Sequence, residues 1–158
     1  MVVTTNVFQK TLDKNDFGLT ADKTIPAATW TELCAYTVPA QQEIAVGATE
    51  VIQGGVTGKV AYIRLDNCAG NQITPLKIRI KVEDANDMGQ TITEHSAEEW
   101  SGSKTSRTDG LLLHKDSRVA VEDSKIKVYV YSASAVTVAY VDADTVIQLP
   151  VTISTVRR

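Results

Sequence analysis

The sequence predicts an all-β protein, an antiparallel β-sandwich of jelly-roll-like type with about 8–10 short strands and an extended N-terminal arm. Composition is the first reason, because Val, Ile and Thr make up 49 of the 158 residues whereas Leu contributes only nine. Side chains branched at Cβ are stiff and suit a pleated sheet better than a helix. The second reason is that apolar and polar residues alternate in short runs between turn residues, with no long helical period.

The N-terminal segment, residues 1–28, is predicted to be an arm that precedes a single sandwich domain at residues 29–158. Its apolar residues follow no sustained helical or strand period, and Lys14–Gly18 is predicted as a turn. A segment of this kind either packs along its own domain or reaches a neighbouring molecule. Fully extended, an arm of this length would reach about 90–100 Å.

The first half of the domain predicts four strands: Trp30–Val38, Ile44–Ile52, Lys59–Asp66 and Leu76–Val82. Pro39 ends the first strand, the second is broken near Gly47, and a glycine-rich turn at residues 54–58 precedes the third. The last of these alternates strictly, with Ile78 and Ile80 facing one way and Lys77 and Arg79 facing the other. Strict alternation of this kind predicts an antiparallel strand that is buried on one face.

A polar turn at residues 83–89 and a polar loop at residues 96–110 interrupt the second half of the chain. Six stretches are predicted as short strands, the last of them split by Pro150: Gln90–Glu94, Leu111–His114, Arg118–Val121, Lys125–Ser132, Val136–Asp142 and Thr145–Val156. Trp100 lies in the polar loop. It either folds back onto the domain or anchors a partner, since tryptophan is frequent at interaction hot spots.

Charge and hydropathy exclude two classes of partner. The 16 Lys and Arg residues do not outnumber the 19 Asp and Glu residues, which excludes a strongly basic nucleic-acid-binding protein. The apolar runs are too short for a membrane-spanning helix. Residues 1–6 lack the charged and apolar regions of a signal peptide, so we expect the chain to be made in the cytoplasm without export.

No motif predicts an enzyme, a cofactor or a regular metal site. The segment Gly54–Val60 resembles a phosphate-binding loop, but it has one residue too few between its glycines and lacks the hydroxyl residue after Lys59. The turn with Glu83, Asp84 and Asp87 lacks the ligand spacing of a calcium-binding loop, although an irregular Ca²⁺ site there stays open.

The remaining titratable residues are also predicted to be structural. Glu94 and His95 occur without a nucleophile elbow or a zinc motif, so a charged loop is favoured over acid–base chemistry. Cys34 and Cys68 are predicted to be small buried thiols, and a disulfide between them stays open.

The strand that ends in Tyr36-Thr37-Val38-Pro39-Ala40, the Val- and Thr-rich composition and the N-terminal arm together resemble the head decoration (cement) proteins of tailed viruses. The resemblance covers Trp30–Val156 in general style. It implies a virion location on the outer capsid surface, a trimer as the favoured homo-oligomer, and the major capsid protein lattice as the partner. It implies no enzyme activity, cofactor, nucleic acid or membrane. The residues expected to contact partners are Val2, Val3, Val7, Phe8 and Trp100.

Two other interpretations use the same scaffold. A carbohydrate-binding or receptor-binding module would stack sugar rings on aromatic side chains, for which Tyr129, Tyr131 and Trp100 are the candidates. Another virion component, such as a tail-tube or head-completion protein, would assemble in rings or stacks.

Overall fold

The computed structural model describes residues 3–47, 49–52, 55–65, 68–69, 76–84, 86, 88–97, 100, 111–113, 119–140 and 145–157, and at residues 3–5, 49–52, 55–60, 68–69 and 111–113 the backbone alone. Its named elements are thirteen β-strands: β1 (Val3–Asp13), β2 (Lys23–Ile25), β3 (Thr31–Thr37), β4 (Gln42–Val46), β5 (Thr49–Ile52), β6 (Gly55–Leu65), β7 (Cys68–Ala69), β8 (Lys77–Glu83), β9 (Gly89–Ser96), β10 (Leu111–Leu113), β11 (Lys125–Tyr131), β12 (Val136–Val138) and β13 (Thr145–Arg157). The predicted all-β class is confirmed, with more strands than expected.

The strands form three sheets in which every pairing is antiparallel. The six-stranded sheet has the order β1-β13-β6-β10, with β4 also paired to β13 and β5 to β6. The four-stranded sheet has the order β3-β11-β8-β9, and the small third sheet has the order β2-β12-β7. The predicted antiparallel sandwich is confirmed, and its jelly-roll connectivity stays a prediction.

The predicted N-terminal arm contributes strands to the domain. β1 pairs with β13 from Val3 opposite Arg157 to Asp13 opposite Gln148, and β2 pairs with β12. Of the two alternatives for this segment, the structure therefore shows packing along its own domain over β1 and β2. The sequence pattern missed β1 because its apolar residues do not alternate, and pairing with a strand at the far end of the chain defines it.

Pro150 does not split the last strand as expected. It lies inside β13 opposite Thr11 of β1. On its other edge β13 changes partner at this point, pairing with β6 up to Gln148 and with β4 from Val151. A proline is tolerated because no ladder there needs its missing amide hydrogen, while its carbonyl accepts a 2.8 Å hydrogen bond from Gly47 N.

Two local predictions are corrected by strand pairing. The predicted flexible turn at residues 54–58 is mostly strand, since β6 begins at Gly55 and pairs with β5 in a hairpin. The predicted strand Arg118–Val121 is described from Val119 onward, and there it makes one isolated bridge between Ala120 and Ile44.

The core lies between the two larger sheets. In the four-stranded sheet Ile78 and Ile80 are fully buried while Lys77 is exposed, which confirms the orientation predicted from alternation. Buried residues of both sheets belong to one hydrophobic cluster, including Leu12 of β1 and Ile126 of β11. Among the described residues no helix is long and apolar enough to cross a membrane.

Candidate functional site

Trp100 is a core residue. Its side chain is 0% exposed, its Nε1 donates a 3.0 Å hydrogen bond to the carbonyl of Ile78, and its ring meets that of His95 edge-on at 5.8 Å. Trp100 therefore folds back onto the four-stranded sheet, the first of the two alternatives for this residue, and its role as a partner contact stays a prediction. The polar loop around it hid this role, because burial here depends on a sheet formed by distant residues.

The outer face of the four-stranded sheet carries ion pairs and aromatic rings. We call it the charged sheet face, and it consists of Trp30, Glu32, Lys77, Arg79, Lys81, Glu83, Glu94, Lys127, Tyr129 and Tyr131. Three cations lie over rings on this face: Arg79 over Trp30 at 3.9 Å, Lys81 over Tyr129 at 5.5 Å, and Lys77 over Tyr131 at 5.8 Å. The alternation within each strand predicts that Lys77, Arg79 and Lys81 of β8 and Tyr129 and Tyr131 of β11 lie on the outer side of their own strand, and the strand pairing brings them together on one face.

The aromatic rings of this face already have neighbours from their own sheet. The Trp30 ring packs against Tyr131 at 5.5 Å and against the Arg79 guanidinium, whose Nε and Nη2 both donate to Glu94 Oε1. A sugar-binding aromatic must present an open ring face, and Arg79 covers a face of Trp30. The geometry therefore favours a structural role for Trp30 and Tyr131 over a sugar-stacking platform.

A buried ion pair crosses the same face. Lys127 Nζ lies 2.5 Å from Glu83 Oε2 and 2.9 Å from Glu32 Oε1, and Tyr129 Oη donates a 2.8 Å hydrogen bond to Glu83 Oε1. The side chains of Lys127 and Glu83 are only 10% and 5% exposed. A buried ion pair with both carboxylate oxygens engaged is costly to break, because either partner alone would be left uncompensated.

These contacts shift the titration of all three groups. Burial by itself raises the pKa of Glu83, but the hydrogen bonds from Lys127 and Tyr129 outweigh it and leave that pKa below its ordinary value. The hydrogen bond to Glu83 raises the pKa of Lys127. Burial, followed by the hydrogen bond to Glu83, raises the pKa of Tyr129 to about 12. The three groups therefore keep their ion pair and hydrogen bond at neutral pH.

The acidic turn after β8 uses its carboxylates within the protein. Glu83 belongs to the ion pair just described, and Asp84 Oδ1 accepts hydrogen bonds from the amides of Asn86 and Met88 at 2.8 and 3.0 Å. Asp87 lies outside the described residues. Within the described part of the chain no group of acidic, His or Cys residues has the arrangement of a metal site.

Cys34 is a free thiol on the inner face of β3, as the sequence predicts. Burial raises its pKa, so the thiolate is disfavoured at neutral pH. The side chain of Cys68 lies outside the described residues.

Two predicted contact residues, Val7 and Phe8, are exposed at consecutive positions of the edge strand β1, where their side chains point to opposite faces of the strand. Val7 is 56% exposed and Phe8 is 39% exposed, and β1 is an edge strand that pairs with β13 only among the described residues. Val2 and the side chain of Val3 lie outside the described residues. We call Val7 and Phe8 the β1 edge patch.

A second exposed apolar surface was not predicted from the sequence. Met88 is 73% exposed, Val119 46% and Val121 44%, and these side chains line an open cavity of about 570 Å³ between the β8–β9 turn and the segment before β11. We call it the apolar groove, and it is lined by Val82, Asp84, Met88, Gly89, Gln90, Ile92, Val119, Ala120, Val121 and Ser124. The sequence signal was weak because these residues come from two segments that the fold brings together.

Comparison with known proteins identifies the fold. No protein family model and no curated protein sequence match the chain. Solved structures with a similar fold include VP17, a capsid protein of bacteriophage P23-77, with a TM-score of 0.57, 8% identity and 100% coverage of both chains. They also include the VP16–VP17 complex of the two major capsid proteins of that phage, with a TM-score of 0.58, 9% identity, and 94% and 99% coverage of this chain and that chain. At such low identity the likeness concerns the fold alone, and the chain has the antiparallel β-fold of these capsid proteins.

Proposed function

We propose that this chain is a structural capsid protein of a virion. The observation that carries the proposal is the similarity of fold, over 100% and 94% of the chain, to capsid proteins of one phage at TM-scores of 0.57 and 0.58. Fold similarity by itself is only an analogy for function. The exposed apolar patch on an edge strand supports it independently, because soluble monomers usually protect such edges and a subunit of an assembly covers them with a neighbour.

The partners of the chain are proposed to be other capsid protein subunits. One solved neighbour is a complex of two major capsid proteins, so a subunit of this fold assembles with a second kind of subunit there. Building the shell is therefore our first choice of role. Decoration of an existing lattice, with a trimer as the unit, stays the prediction drawn from the resemblance to cement proteins.

The location of the chain tests the proposal directly. Virus-like particles from a culture in which the gene for this chain is present are separated on a density gradient. Each fraction is assayed for packaged DNA, and the amount of the chain is measured by quantitative mass spectrometry. We expect the chain to co-purify with packaged DNA in a fixed ratio to the other shell proteins. Absence of the chain from fractions that contain packaged DNA would contradict a capsid role.

Resistance of the particle-bound chain to washing separates the shell-building role from the decoration role. A shell-building subunit remains in the particle under mild salt and urea washes that strip decoration proteins from intact shells. If the chain leaves the particles while the shell and its DNA stay intact, the decoration role replaces the shell-building role.

A further inference from the structure

The exposed large apolar side chains of the described residues fall into two groups, the β1 edge patch and the apolar groove. We propose that they form the two halves of one head-to-tail interface, in which the β1 edge patch of one copy docks into the apolar groove of the next copy. This inference rests on the proposed capsid role, since it states how the subunit meets its neighbour.

The two surfaces lie at opposite sides of one row of strands. In the strand register Phe8 is opposite Ile153, Ile153 is opposite Ile44, and Ile44 bridges to Ala120. The three steps from β1 to β13, from β13 to β4 and from β4 to the bridged segment, at about 4.8 Å each, place Phe8 about 14–15 Å from Ala120. A contact between unlike surfaces leaves each copy with one free surface of each kind, so it continues from copy to copy and forms a ring if the rotation closes or an open array if it does not.

Backbone geometry at the groove suits a strand as its occupant. The amide and the carbonyl of Ala120 both bond to Ile44, at 2.8 Å each. Neighbouring residues in an extended antiparallel segment point their backbone groups in opposite directions, so the amide and carbonyl of Val119, which lines the groove, point away from β4. β1 likewise directs the backbone groups of alternate residues away from β13.

Chemical complementarity favours β1 as the partner. Among the described residues the groove lining is mostly apolar, includes Asp84 and includes no basic residue. The regular part of β1 around the patch, Asn6–Lys10, offers Val7, Phe8 and the cation Lys10, and contains no acidic residue. Lys10 makes a 3.6 Å ion pair with Asp16 and its side chain is 46% exposed, so such a weak surface pair leaves it able to meet an acidic rim.

Single-site variants and their mixture test the interface. Phe8→Asp changes the patch, Val121→Asp changes the groove, and Ala133→Asp adds the same charge at an exposed position outside both. Sedimentation velocity from about 10 μM to 1 mM gives the self-association constant of each full chain, and circular dichroism checks folding. We expect each of the first two variants to weaken self-association at least about tenfold, as for a central interface residue, and the control to leave it unchanged.

The mixture distinguishes the proposed geometry from a symmetric one. Phe8→Asp retains an intact groove and Val121→Asp retains an intact patch, so an equimolar mixture should form a complex of two subunits that grows no further. Val7→Asp and Val119→Asp repeat the pair if either first variant fails to fold. A charge reversal at Lys10 should weaken the complex, whereas Lys23→Glu, on the exposed part of β2, should not.

Three results would overturn the proposal. They are a wild-type chain that stays monomeric at 1 mM, variants that associate like the wild type, and loss of association in Phe8→Asp alone, which would indicate a symmetric β1–β1 contact. None of them bears on the capsid role, which is judged separately by the presence of the chain in particles that contain packaged DNA.

Discussion

Replacing Trp100 by Ala tests whether this residue belongs to the core or to an interface. The indole is fully buried and its Nε1 bonds to the carbonyl of Ile78. Truncating a buried Trp to Ala costs about 3–5 kcal/mol of unfolding free energy, because apolar contacts are lost and a cavity remains. Trp100→Phe keeps most of the ring and loses the hydrogen bond, so we expect a loss of about 1–3 kcal/mol.

Urea unfolding followed by far-ultraviolet circular dichroism measures these losses. A chain of this size unfolds with a slope of about 2 kcal/mol per molar urea, so the midpoint should fall by about 2 M for Trp100→Ala and by about 0.5–1.5 M for Trp100→Phe. Met88→Ala is the control, since Met88 is 73% exposed and should change the midpoint little. If Trp100→Ala keeps the wild-type midpoint but abolishes self-association, Trp100 is a partner contact and not a core residue.

Two further predictions concern the buried ion pair. Glu83→Gln should lower the unfolding free energy by about 2 kcal/mol at pH 7, since Lys127 loses its buried partner. Glu94→Gln, which breaks the more exposed Arg79–Glu94 pair, should lower it by less than about 1 kcal/mol. The folded-state pKa of Glu83 lies below the ordinary value of 4.5, so its contribution is present above that pH and is lost as the pH falls through the folded pKa. Urea titrations at several pH values should therefore show the Glu83→Gln deficit shrinking below pH 4.5, and a constant deficit would refute the assignment. Gly89→Ala should cost about 1–3 kcal/mol, because a Cβ there would stand 2.4 Å from Glu83 Cγ and displace this side chain. In a Glu83→Ala background the Gly89→Ala cost should largely disappear, and an additive double mutant would show that the clash lies elsewhere.

The strands that could be predicted are those whose own pattern is strong. β8 alternates strictly, and the structure buries Ile78 and Ile80 on the side that the pattern assigns. The sequence pattern does not reveal β1, because Val7 and Phe8, which are adjacent residues of this strand, are both apolar and both exposed. The strand therefore has no clear apolar face. Its definition comes from β13, which lies more than a hundred residues away in sequence, and local patterns carry no information about such pairing.

The candidate contact residues show the same difference between what local sequence reveals and what depends on distant segments. Adjacent apolar residues near the N-terminus were enough to single out Val7 and Phe8, and the structure leaves both exposed. For Trp100 the sequence left two alternatives open, because a polar neighbourhood in sequence says little about which side chains surround a residue in space, and the structure shows it buried against the four-stranded sheet. The apolar groove was not foreseen, because Met88 and Val121 become neighbours only when the β8–β9 turn meets the segment before β11.

Residue types and their spacing were enough to predict that the chain folds as antiparallel strands and which face of its most regular strands is apolar. They were enough because β-branched content and a two-residue period act locally, through the conformation of each residue and its neighbours. The tertiary structure alone decided which strand lies at the edge, that Lys127 and Glu83 meet as a buried pair, and that two apolar surfaces flank one row of strands. These features depend on which distant segments pair, and that choice is made by the packing of the whole core.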